Sequence, residues 1–108
     1  MDIINEYLER TRSVQQLWNG ATIENNRPRV KCADGFEISV QASHCHYCDP
    51  REDGAAVYET VELGYPNMEE PLIIDYAEEP DGPLGTVYGY VPVSIVCELV
   101  SKHGGIIN

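Results

Sequence analysis

Phe36, Ile38, Val40 and Ala42 alternate with Glu37, Ser39, Gln41 and Ser43. A period of two turns one set of side chains towards a core and the other towards water, so this segment reads as a half-buried strand with one wet face. Just before it, Asp34-Gly35 follows the strand-like run RVKC. Two residues that tolerate positive φ between two strands predict a hairpin. An antiparallel hairpin therefore anchors the fold, and the flanking segments must cover its apolar face.

The N-terminal segment offers one cover. In DIINEYLERTRSVQQLWNG, the side chains of Ile3, Ile4, Tyr7, Leu8, Val14, Leu17 and Trp18 recur at steps of three and four. That spacing predicts an amphipathic helix over about 2–19, with Asp2 as its N-cap and Asn19-Gly20 as its stop. ATIENNRP reads as a polar link. AVYETVEL predicts a strand, with Val57, Glu59 and Val61 alternating against Tyr58, Thr60 and Glu62. LIIDYAEE predicts a short helix broken by Pro80-Asp81-Gly82-Pro83. GTVYGYVP predicts a last strand with Thr86, Tyr88 and Tyr90 on one face, two tyrosines side by side, and Val87 and Val91 on the other. Pro92 suits the first turn of a helix over about 92–103, where Val93, Val96, Cys97 and Val100 form a buried stripe and Lys102, His103 and Gly104 end it. Ile106 and Ile107 are expected to dock on the core or on a second subunit. The sum is one α+β domain over residues 1–108. Its sheet-and-loop core, over about 29–91, holds a mostly antiparallel sheet of about four strands packed by an N-terminal and a C-terminal helix.

A chain of 108 residues suits a single domain with one modest core. No apolar run reaches the roughly 18 residues of a membrane span. Asp2, Glu6 and Glu9 stand where a signal peptide would be basic and then apolar, so a cytoplasmic protein without a membrane partner is expected. Its four cysteines are then reduced thiols or metal ligands, and Cys32 and Cys97, within predicted regular structure, read as small buried hydrophobes. The net charge of −11 is uneven: fourteen of the acidic residues and only two of the basic ones lie beyond Lys31. Arg51 is the one cation between Asp49 and Asp81. Direct nucleic-acid binding, which needs a basic stripe, is excluded by that balance, whereas an acidic mimic of nucleic acid is compatible with it.

Chemistry-bearing residues concentrate in His44 to Asp53, HCHYCDPRED, at the end of the hairpin strand. Cys45 and Cys48 have the spacing of a zinc knuckle, with His44 and His46 as further donors. The set is incomplete, because no second paired motif exists and Cys32 or His103 would have to contribute; no cofactor is expected, with zinc as the alternative. Cys45 between two histidines does not make a nucleophile, since neighbouring side chains on extended backbone diverge, and no catalytic motif is present, so no enzyme is expected. Binding asks less. Arg51 either pairs with a carboxylate or holds an anionic partner. Seven tyrosines against one phenylalanine supply stacking faces with hydrogen-bonding tips. The candidate ligand site comprises Arg51, Tyr47, His46, Tyr88, Tyr90 and Tyr58.

The segments ISVQASHCHYCDPRED, YETVELGYP and TVYGYVPVSIVCELVSKHGG resemble a widespread group of small phage and prophage proteins, mostly without assigned function. The resemblance runs from about Val30 to the end of the chain, and its most specific part is Tyr47-Cys48-x-Pro50-Arg51, joined by Tyr88-x-x-Val91-Pro92-Val93 and the terminal His103-Gly104-Gly105. It implies a phage accessory protein in the cytoplasm of a bacterial host. By analogy of class, such a protein acts by binding. The leading expectation is a homo-oligomeric counter-defence protein that sequesters a small nucleotide-like or anionic signalling ligand. Arg51 would meet phosphate or carboxylate, Tyr47 with Tyr88 or Tyr90 would stack, and His46 would donate a hydrogen bond. The alternative is an acidic inhibitor presenting Glu52, Asp53, Glu69, Glu70, Glu78 and Glu79 to a host protein, and a second alternative is a small zinc-binding protein.

Overall fold

The computed structural model describes residues 1–108. Asp34 and Gly35 turn the chain between β3 (Val30–Lys31) and β4 (Glu37–Gln41), with Val30 opposite Ile38 and Lys31 opposite Glu37. Phe36, Ile38, Val40 and Ala42 are fully buried, as their alternation predicts. β5 (Thr60–Gly64) pairs with β4 and β6 (Val87–Pro92) pairs with β5, giving a four-stranded antiparallel sheet in the order β3-β4-β5-β6. Helix α1 (Ile3–Arg10) contributes Ile4, Tyr7 and Leu8 to the core, and α2 (Val93–Lys102) contributes Val93, Val96, Leu99 and Val100. They join Val30, Val61, Leu63 and Tyr88 of the sheet in a single cluster. Each such aliphatic side chain contributes about 1.5–3 kcal/mol on burial. A 3₁₀ helix, Pro71–Tyr76, adds Ile73. The expected α+β architecture is therefore present, and no helix is long and apolar enough to cross a membrane.

The element ends follow local chemistry. The Asp2 carboxylate accepts the Asn5 backbone N–H at 2.7 Å and caps α1. α2 starts directly from β6 through Pro92 with no side-chain cap; the Val93 N–H is instead accepted by the Glu59 carbonyl at 3.0 Å. At its other end the Gly105 N–H returns to the Val100 carbonyl at 2.8 Å. Ile106 then bridges to Cys32 and packs on the core, whereas Ile107 stays exposed.

Four expectations need correction. The N-terminal helix stops at Arg10, where the Thr11 hydroxyl donates to the Tyr7 carbonyl at 2.6 Å, instead of running to residue 19. The chain then forms β1 (Val14–Gln16) and β2 (Thr22–Glu24), an antiparallel hairpin that makes a separate two-stranded sheet. Asn19-Gly20 lies in its turn, with Gly20 at φ +84°. Asn-Gly is a stronger hairpin signal than a helix stop, and the uncharged VQQLWNGATI satisfies strand alternation as well as helical spacing. Second, the polar link is not merely a link. Arg27 is buried and donates to the Leu8 carbonyl, the Ala42 carbonyl and the equally buried Glu24, tying the hairpin base to the core. Third, the strand after the loop begins only at Thr60, so Val57 is exposed while Tyr58 is buried. Fourth, Cys97 is half-buried and Leu99 takes its place in the α2 stripe.

β6 also departs from simple alternation. Leu63 pairs with Tyr88 and Val61 with Val91, so Glu62 faces both Gly89 and Tyr90 across a bulge. Tyr88 and Val91 are consequently both buried in the core, and Tyr90 is turned out with φ +54°. The two tyrosines of this strand are not side by side.

Candidate functional site

β4 ends at Gln41, and the chain loops out before rejoining the sheet as β5 at Thr60. Cys48 pins this excursion: its thiol is buried and donates to the Ser43 carbonyl at 3.3 Å. Burial pushes that thiol's pKa up, so it is a neutral packing group. Asp49 and Glu59 then close the base of the loop, the Glu59 N–H donating to the Asp49 carbonyl at 2.8 Å.

Tyr47 lies directly on the β6 bulge. Its carbonyl accepts the Tyr90 N–H at 3.0 Å, and a Cβ added at Gly89 would stand only 3.2 Å from the Tyr47 Cβ. Glycine at 89 is thus what lets the tyrosine sit down on the strand. The Tyr47 and Tyr90 rings are 5.8 Å apart and tilted by 36°, with 41% and 45% of each residue exposed. The Arg51 guanidinium carbon is 5.3 Å from the centre of the Tyr47 ring, within cation–π range. Its Nε–H donates to the His44 carbonyl at 3.2 Å, and it forms no ion pair. Two exposed aromatic faces and an unpaired cation therefore share one surface. None of the three concave regions of the molecule includes them, so they form a platform and not a pocket.

The other candidate residues are used elsewhere. His46 Nδ1 lies 2.6 Å from the Ser43 hydroxyl and its Nε2 4.0 Å from Glu62. Burial lowers its pKa more than Glu62 raises it, which favours a neutral ring occupied in bracing the loop over donation to a ligand. Tyr58 is buried, its backbone held by both ends of the Asn5 amide and its hydroxyl donating to the Glu52 carbonyl. Tyr88 is buried too, its hydroxyl donating to the Pro83 carbonyl. Burial raises the pKa of both phenols.

The four zinc donors do not converge. Cys48 points inward and His46 turns to Ser43, and only two of the donors meet: contrary to the divergence expected of neighbours, the exposed Cys45 Sγ lies 3.1 Å from His44 Nε2, whose Nδ1 is 2.9 Å from Asp53, and no group of three or more histidine, cysteine or acidic side chains is arranged to hold a metal. His103, the distant donor considered for that site, sits at the opposite end of the sheet. There its Nδ1 meets Asp34 at 2.6 Å, its Nε2 meets Glu70 at 2.8 Å, and its ring stacks on Phe36 at 4.1 Å. A neutral imidazole has only one N–H, so two carboxylates on two ring nitrogens favour the imidazolium. Burial alone would lower the His103 pKa, but the hydrogen bonds to Glu70 and Asp34 outweigh it and raise it. Lys102 completes the cluster at 2.8 Å from Glu70. Glu70, expected to be displayed to a partner, is therefore buried within this clasp.

Sequence reasoning missed Gly89 and Glu62 as supports of the platform; Glu62 accepts the Tyr47 N–H at 3.4 Å. The signal for them was a glycine between two tyrosines on a strand, which marks a bulge or a close backbone approach. Compared with family models, with curated proteins and with solved structures, the chain matches none.

Proposed function

We propose that this protein acts by binding, and that Tyr47, Tyr90 and Arg51 form a platform on which a planar, anionic, nucleotide-like ligand stacks. The observation that carries this reading is Arg51: the one cation between Asp49 and Asp81 has no carboxylate partner and lies over an exposed ring. A cation among so many carboxylates that pairs with none of them keeps its charge for an anion from outside. A base or similar ring has two tyrosine faces to lie against, and its phosphate or carboxylate has the free terminal nitrogens of Arg51. In the phage setting that the sequence resemblance implies, the protein would be a counter-defence factor that sequesters a nucleotide signal.

Titration calorimetry against a panel of linear and cyclic nucleotides tests this. Arg51→Ala should weaken binding at least tenfold and move the melting temperature only slightly, because the guanidinium makes one exposed hydrogen bond to the His44 carbonyl and no ion pair. A panel with no binder, or an Arg51→Ala variant that binds as well as the parent, would remove the platform from consideration.

A second reading rests on a separate observation. Glu69, Asp75, Glu78, Glu79 and Asp81 are all exposed and none is paired with a cation. An acidic face of this kind suits a basic groove on a host protein, as a nucleic acid would. Capture of that partner should fall steeply with added salt, whereas stacking on the platform should respond weakly.

A further inference from the structure

The hairpin formed by β1 and β2 stands apart from the platform and from the core. Its residues are exposed almost throughout, and Trp18 at its turn is 97% exposed. From Ser13 to Ile23 the arm carries no charge, in a chain where 23% of residues are charged. Both outer strand edges are unpaired. Isolated two-stranded hairpins are marginal in water, and exposed edges are ordinarily protected by charge or proline, neither of which occurs here. Val14 and Ile23 are exposed as well. An arm of this composition is built to be covered.

The same molecule holds a cleft of matching chemistry. It has a volume of about 410 Å³, within the range of small-ligand sites, and lies beside the base of the arm. Leu8, Ala55 and Ala56 give it apolar lining, and Glu9 provides an acceptor for an indole N–H. Arg12, the residue just before the arm, lies in its wall. The Arg12 guanidinium is held 3.3 Å from Glu24 and packs on Gly54, where an added Cβ would come within 2.9 Å of it. A cation fixed in this way favours an aromatic face, and indole is the strongest of the natural ones.

We propose that the chain forms a two-fold dimer by reciprocal arm exchange, with Trp18 of each protomer seated in the Arg12 cleft of the other. An extended arm from Ser13 to Trp18 spans about 17 Å at about 3.3 Å per residue. Two such arms laid antiparallel about a two-fold axis pair along their free edges, and each tip arrives at the base of its neighbour. That base is where the cleft lies. A second copy fits better than an unrelated partner because knob, edge and socket are all on this chain in a self-complementary order. Charge points the same way: two chains of −11 repel over most of their surfaces, and the arm is the long exposed stretch free of that repulsion.

Trp18 is the only tryptophan, so its fluorescence reports the joint directly. Sedimentation velocity over a concentration series should show a monomer–dimer equilibrium, with emission shifting to the blue and acrylamide quenching falling as dimer forms. Trp18→Ala should abolish the dimer. Ala56→Arg, at an exposed position that fills the cleft, should also give a monomer, with Trp18 emission remaining that of a water-exposed indole. Mixing the two variants should restore a heterodimer, since one retains a knob and the other an open socket. A monomeric parent at every concentration would overturn the proposal, as would a dimer that survives Trp18→Ala or one in which Trp18 remains fully quenchable.

Discussion

The two ends of the sheet handle polar side chains in opposite ways. At the clasp, His103 bridges Asp34 and Glu70, Lys102 takes the remaining Glu70 oxygen, and Phe36 stacks on the imidazole. At the platform, Arg51 donates only its Nε–H, and the rings of Tyr47 and Tyr90 each leave a face in water. The clasp ties together three segments distant in sequence: the β3–β4 turn, the start of the 3₁₀ helix and the end of α2. Its imidazole and buried Glu70 carboxylate are both fully engaged, by one another, by Asp34 and by Lys102. The platform residues have not, and unspent capacity on a rigid support is what a ligand can use. Chemically similar residue sets thus divide by satisfaction into a structural group and a candidate functional one.

The largest test of this division is His103→Ala. It leaves the Glu70 carboxylate buried with one partner fewer and removes the stack on Phe36. A loss of about 2–3 kcal/mol is expected, and at about 4–8 °C per kcal/mol for a domain of this size the melting temperature should fall by more than about 8 °C. Arg51→Ala should move it by a small fraction of that. Calorimetric scans of both variants would break the comparison if the two losses were equal.

pH sharpens it next, because His103, which is buried, and His46, which is half-buried, shift in opposite directions. The folded-state pKa of His103 is raised, so its contribution is fully present below the ordinary histidine value of 6.5 and is lost as pH rises through the folded value. Burial lowers the folded-state pKa of His46, so its neutral form supports the fold above 6.5 and stability is lost as pH falls below that value. Asp34, through the Phe36 N–H and then His103, and Glu70, where bonds to Lys102 and His103 overcome burial, both have lowered pKa values, so the clasp persists well into acid. The stability gap between the parent and His103→Gln should therefore shrink as pH rises above neutrality. His46→Gln should gain on the parent as pH falls. Urea titrations at several pH values would show it, and parallel pH slopes for the two variants would contradict the assignment.

A smaller effect is expected at Gly89. Alanine there places a Cβ at 3.2 Å from that of Tyr47, tighter than ordinary packing, so the loop must lift by a few tenths of an ångström. A loss of about 1 kcal/mol, at the low end for overpacking, should accompany weaker ligand binding, with the clasp and its pH response intact.

Much of the clasp end was legible because its elements are periodic: the alternation from Phe36 to Ser43, the Asp34-Gly35 turn and the α2 stripe each obey one rule. The clasp itself was not, since Asp34, Glu70 and His103 meet only after the sheet and α2 have packed. At the platform, proximity in sequence placed Tyr47 and Arg51 together, and Tyr90 was reachable as a strand tyrosine. What failed was strict alternation through GTVYGYVP, which assigns Tyr88 and Tyr90 to one face; a bulge adds a residue and reverses the parity beyond it. The N-terminal arm was hidden for a different reason. Val14, Leu17 and Trp18 fit the helical face of Ile3 to Leu8, so Asn19-Gly20 reads as that helix's stop although it is a hairpin turn, and nothing local announces that the helix ends at Thr11 or that Arg27 anchors the hairpin base.

The smallest stability effect belongs to Tyr90 and makes the finest distinction between the two ends. At φ +54° this residue holds a left-handed conformation that a β-carbon disfavours and glycine adopts freely. In Tyr90→Gly the relief of that strain opposes the lost contact with Tyr47 and the greater freedom of an unfolded glycine, so stability should stay within about 1 kcal/mol of the parent. Binding should nevertheless collapse, because half of the stacking surface is gone. A structural tyrosine gives the reverse pattern: Tyr88, buried with its hydroxyl on the Pro83 carbonyl, would lose about 3–5 kcal/mol on truncation, as a large aromatic in a core does. A strained, exposed tyrosine whose removal leaves stability nearly unchanged and abolishes binding would place Tyr90 among residues retained for what they contact outside the chain; equal ligand affinity in Tyr90→Gly and the parent would reduce the bulge to an accident of strand register.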